Sequence, residues 1–362
     1  MLPLSAGLFA RLQHRSPGAL LCIRHKSMQR FLNACECGDV GYVTENLPYF
    51  SEAFMLHEIT EALKRAAKGE HGDIINLLAQ VAPRDAIRGA VIAATGYGSN
   101  MALAALLDTP GAADLAGADL HTALQSAVMK ALDTVDSRAA VDSNPQVRRD
   151  CVAAVSLLLE RGAAVEAGNE SLVKEVMFEA QWASNHGETD RQEMAFLLFG
   201  LLLDGGGDAN WVYKGRSSPE FPGPYDKWFT LLDYACSSEE FDPRLAASLM
   251  DHGADVNRMI GGRTCLLEAI AEGSVDAVQF LLGRGTNLAR VIHKLPELCR
   301  RRRDGRYVPP RTWAPEMRAL FAPHVRSHVD GLLLEWLEHL GKELDRGHLT
   351  WLTPRVCEYC YF

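Results

Sequence analysis

Apolar positions along this chain recur at helical spacing in short bursts, most of them closed by glycine. The clearest burst spans residues 262–288, GRTCLLEAIAEGSVDAVQFLLGRGTNL. Leu266, Ala269 and Ile270 fall on one face of a short helix, and Gly273 stands where such a helix would stop. Val275, Val278, Leu281 and Leu282 form the stripe of a second helix, ended by Gly285. Two helices this short cannot bury their apolar faces alone, so the pattern predicts stacked neighbours.

The neighbours are present with weakening fidelity. Thr230, Leu231, Leu232, Asp233 and Ala235 open a similar unit, and LMDHGADVN at 249–257 closes it. The closing phrase returns as LLLDGGGDAN at 201–210 and LLLERGAAVE at 157–166. Nearer the N-terminus, Leu63, Ala67 and Gly69 with Ile74 and Leu78 read as another unit, and 90–107 as a further one. Phe31 and Gly38 with Val43 and Leu47 read as the first.

The 262–288 segment resembles one ankyrin repeat, whose pattern is G-x-T-P-L-H-x-A-x-x-x-G-x-x-x-x-V-x-x-L-L-x-x-G-A-D-V-N. Thr230 and Thr264 lie about one repeat period apart. The resemblance implies an all-α fold: an ankyrin-repeat solenoid of about seven irregular helix pairs between residues 28 and 290. Cys265 and Leu231 replace the proline of the family's T-P-L-H turn, and Leu267 and Asp233 replace its histidine. Proline there presets the first helical turn; without it and the histidine, less regular repeats are expected. A basic arm at 1–27 precedes the repeats, a basic and proline-containing linker follows at 291–312, and a C-terminal helical cap and tail fill 313–362. The cap follows from Leu320, Val325, Val329, Leu332, Leu333, Trp336, Leu337 and Leu340 at helical spacing, with Pro323 dividing them into two helices.

Two insertions break the periodicity. Residues 133–149 are polar, lack aromatics and place Pro145 near a helix start, which reads as a solvated loop. Residues 211–229, WVYKGRSSPEFPGPYDKWF, are different: Pro219, Pro222 and Pro224 forbid a helix. Trp211, Tyr213, Phe221, Tyr225 and Trp228 supply aromatic surface there, and Arg216 and Lys227 supply charge. In ankyrin proteins the hairpin loops border the concave binding face, so the resemblance makes these seven residues the candidate partner-binding set. Trp, Tyr and Arg dominate interface energies. The other reading is that the same aromatics fold back over an irregular joint between repeats.

The chain has 362 residues, 48% of them hydrophobic, enough for a long continuous core. A net charge of −9 argues against nonspecific nucleic-acid binding, which depends on neutralising phosphates. Nine cysteines, an odd number scattered through helical patterns, fit a reducing compartment. The longest apolar run, 194–203, is far short of the roughly 20 residues of a membrane span. A cytoplasmic protein is expected. Two alternatives stay open: mitochondrial import through residues 1–27, which carry Arg11, Arg15, Arg24 and Lys26 and no acid, and nuclear entry through the basic cluster Arg300–Arg303 with Arg306.

Signals for chemistry are thin. Cys357 and Cys360 have the spacing of a redox pair or half a zinc site, and His324 and His328 lie one helical turn apart. Nothing fixes the distance between the two pairs, so no metal or cofactor is assigned. After His57 and Glu58, Glu61 stands where a zinc protease motif needs its second histidine. Gly205–Gly207 follow a helix rather than precede one, which suits a helix end and not a phosphate loop. Leu295–Cys299 is a poor match to the elongin-binding box of ankyrin proteins that recruit ubiquitin ligases, because Lys294 and Arg303 occupy its flanking positions. The expectation is a non-enzymatic scaffold or adaptor for a protein partner. A metal-dependent or redox factor and a ubiquitin-ligase substrate adaptor are the alternatives.

Overall fold

The computed structural model describes residues 17–51, 56–134, 145–168, 170–214, 228–237, 241–287, 291, 316, 319–323, 326 and 330. The chain divides into two compact units, Met1–Gly207 and Asp208–Phe362. Helix dominates the described residues, and the strands among them are short and paired in two antiparallel hairpins.

The first unit is a succession of helix pairs: α1 (Pro17–Cys37) with α2 (Val40–Ser51), α3 (Leu56–Lys68) with α4 (Gly72–Ala79), and α5 (Arg84–Tyr97) with α6 (Asn100–Leu107). A single turn, α7 (Pro110–Ala113), precedes α8 (Gly117–Asp133) and α9 (Pro145–Glu160). The hairpin β1 (Glu166–Ala167) and β2 (Glu170–Ser171) leads into α10 (Leu172–Asn185) and α11 (Thr189–Asp204). Like packs on like: α1, α3, α5 and α8 form one layer, and α2, α4, α6, α9 and α11 the other. The last pair departs from this register, since α11 touches both α8 and α9.

This stacking follows from where the apolar residues fall. Phe31, Leu63, Ile74, Leu78, Leu103, Leu124 and Phe199 are fully buried, and alanines at Ala62, Ala66, Ala90 and Ala94 let neighbouring helices approach closely. Helices such as α4 and α6, of 8 residues each, are too short to persist alone, so burial between layers holds them, helped by caps. Ser99 and Ser171 accept backbone N–H groups of Ala102 and Lys174 at the starts of α6 and α10. The helix carrying Met28 begins earlier than the repeat boundary expected at that residue: Pro17, suited to a first helical position, opens it, so 17–27 run directly into α1. Pro145 opens α9, as its position in the polar insertion suggests.

In the second unit, β3 (Val212–Lys214) pairs with β4 (Trp228–Thr230), which runs into α12 (Leu231–Ser237). α13 (Pro243–Asp251), α14 (Cys265–Glu272) and α15 (Val275–Leu282) follow. α14 packs against α12, and α13 and α15 each pack on their pair partner. Gly273 ends α14 in the left-handed conformation (φ 79°), the stop its sequence position predicts. Farther along, Val291 and Phe321 are buried and 319–323 is helical. The basic cluster at 300–306, Leu295–Cys299, His324, His328, Cys357 and Cys360 lie outside the described residues.

Candidate protein-interaction site

The aromatic insertion begins and ends as a ladder. Val212 faces Thr230, Tyr213 faces Phe229 and Lys214 faces Trp228 across the β3–β4 hairpin. Because side chains alternate along a strand, Tyr213 and Phe229 share one face while Lys214 and Trp228 share the other. The first face is packed: the Tyr213 ring stacks on Phe229 with centroids 6.0 Å apart and meets Tyr234 of α12 edge-on at 6.5 Å. Burial pushes the Tyr213 hydroxyl far above the ordinary tyrosine range, with Tyr234 and Asp233 adding to it. The second face is covered at its root, where Thr230 is buried and Val212 half-buried, and exposed at its outer end, where Lys214 lies in solvent and Trp228 is 52% exposed.

The candidate set therefore separates. Tyr213 packs on its strand partner Phe229 and on Tyr234 of the helix that follows. Trp228 is a large aromatic left in solvent. Trp211 is half-buried, and its indole N–H is enclosed without a hydrogen-bond partner among the described residues. Arg216, Phe221, Tyr225 and Lys227 lie outside the described residues.

Three local devices hold the hairpin in place. Where β4 turns into α12, the Thr230 N–H donates to Asp233 Oδ2 at 2.8 Å and the Asp233 N–H donates to Thr230 Oγ1 at 2.9 Å, a reciprocal capping box with both residues buried. Asp233, the departure from the family's histidine, thus closes the turn by another bond pattern. At the base of β3, Asn210 reaches forward: its Nδ2 donates to the Gly253 carbonyl at 2.8 Å and its Oδ1 accepts the Asp255 N–H at 2.9 Å. Asn257 repeats this one unit later, donating to the Gly285 carbonyl at 3.4 Å and accepting the Asn287 N–H at 2.6 Å. Arg258 Nη1 then donates to the Asn210 carbonyl at 2.7 Å, placing the next hairpin beside the root of β3.

That next hairpin turns through Gly261 and Gly262, both at positive φ (57° and 79°), with Ile260 and Arg263 exchanging backbone hydrogen bonds at 2.9 and 3.0 Å. Glycine at both positions enters this two-residue turn without strain. It leaves Met259 43% exposed. Arg263 Nη1 donates to both carboxylate oxygens of Glu268, at 3.0 and 3.3 Å, so that nearly buried carboxylate is paired. Thr264 caps α14 by accepting the Leu267 N–H.

Residues 229–282 match the family model for ankyrin repeats (many copies). The match runs from Phe229 through α15 and so takes in the last two residues of β4, the capping box, the glycine turn and helices α12 to α15. No curated protein matches the chain. Ankyrin repeats generally mediate protein–protein interaction and are generally non-enzymatic; the exposed residues Lys214 and Trp228 of the β3–β4 hairpin lie outside the matched region.

Among the described residues, no group of three His, Cys, Asp or Glu side chains could hold a metal ion, and no helix is long and apolar enough to cross a membrane. Burial raises the thiols of Cys35 (to about 12), Cys151, Cys236 and Cys265, which keeps them protonated near neutral pH. The paired asparagines, Arg258, Met259 and the Arg263–Glu268 pair are absent from the sequence-derived candidate set. The recurrence of Asn at the end of GGGDAN and GADVN is the signal that could have found the first two.

Proposed function

We propose that this protein is a non-enzymatic adaptor that binds a protein partner through the hairpin edge of its ankyrin-type repeats. The carrying observation is Trp228, half in solvent at the outer end of a stem whose opposite face is locked by Tyr213, Phe229 and Tyr234. A rigidly mounted, exposed Trp loses little conformational entropy on binding and makes a large contact, the usual anatomy of a hot spot. The helix pairs recur in both units, which supports reading about seven ankyrin-type repeats between residues 28 and 290. Trp211, Arg216, Phe221, Tyr225 and Lys227 of the 211–228 set belong to the same proposed surface, with Tyr213 as its support.

The test separates binding from folding. Partners captured by crosslinking to the wild-type chain should bind Trp228→Ala about fivefold to thirtyfold more weakly. Tyr213→Ala should instead lower the melting temperature, because it removes ring packing against Phe229 and Tyr234. Unchanged affinity in Trp228→Ala removes the hairpin from the binding surface. A cytoplasmic location is part of the proposal: a fluorescent fusion of the whole chain should stay in the cytoplasm, and entry into mitochondria dependent on residues 1–27 refutes it.

A further inference from the structure

We draw no further inference here: the strongest candidate, the surface patch of exposed apolar side chains Tyr97, Met101 and Met129 on α5, α6 and α8 of the first unit, carries charges of both signs beside it on α8, Lys130 and Asp133, and nothing in the structure shows what covers it.

Discussion

Asp233→Ala is the sharpest probe of how this repeat tolerates losing its family turn. The Asp233 carboxylate accepts the Thr230 N–H at 2.8 Å, and both residues are about 5% exposed, so water cannot take over that bond in the variant. An unpaired buried N–H costs about 1–3 kcal/mol. Removing a buried carboxylate relieves desolvation and works the other way, so the net loss should be about 2 kcal/mol rather than the sum of both bonds. With a urea slope of about 2 kcal/mol per molar, that is a midpoint lower by about 1 M. Thr230→Ala, which strips the acceptor for the Asp233 N–H at 2.9 Å, should cost about 1 kcal/mol. Asp233→Asn keeps an acceptor oxygen and should cost less than either. Because the two bonds form one reciprocal unit, the double variant Thr230→Ala with Asp233→Ala should fall short of the sum of the singles by about 1 kcal/mol. The assay is urea unfolding of the full chain followed by far-UV circular dichroism. A neutral Asp233→Ala, or single losses that add fully in the double variant, refutes the capping box as the device that replaces the family histidine.

Asn210→Ala should destabilise the second unit by about 1–2 kcal/mol, and Asn257→Ala by less, because one of its bonds is stretched to 3.4 Å. Equal losses measured by urea unfolding would contradict that ranking. Native-state alkylation read by mass spectrometry should label exposed Cys37 well before buried Cys35, Cys151, Cys236 and Cys265, and all five together in denaturant. Early labelling of Cys265 would mean that the α12–α14 contact opens readily. Cys35 also fixes a pH dependence: its folded pKa of about 12 lies above the ordinary 9.0, so its contribution is whole below pH 9 and is lost as pH rises toward 12. Stability of the first unit in Cys35→Ala that declines just as steeply through that window would assign the alkaline loss to other groups.

The repeat of apolar spacing made the helix pairs legible, because each short helix writes its buried face at intervals of three and four and glycine marks its end. Leu266, Ala269, Val278 and Leu281 are buried where that spacing puts them, and Phe31, Leu63, Ile74 and Leu78 are buried in the less regular part. The start of α1 was less legible, since a basic segment such as 17–27 has the composition of an arm and also the propensity of a helix, and only the continuous helix distinguishes them. The aromatic insertion was legible as an interruption but not in its parts. Composition alone gave Tyr213 and Trp228 the same standing.

What the sequence determined by itself is the local unit: helix, glycine, helix, then a closing phrase that ends in asparagine. What only the tertiary structure decided is which residues of each strand are covered by protein and which reach water. Strand alternation assigns residues to two faces but does not say where along each face the cover ends; the packing of Tyr213 on Phe229 and Tyr234 and the burial of Thr230 settle that, and leave Trp228 outside. The same holds for the hydrogen bonds that join one unit to the next. Asn210 finds Gly253 and Asp255 across 43 and 45 residues of chain, a contact that no local pattern encodes and that exists because stacked helices bring successive hairpins side by side.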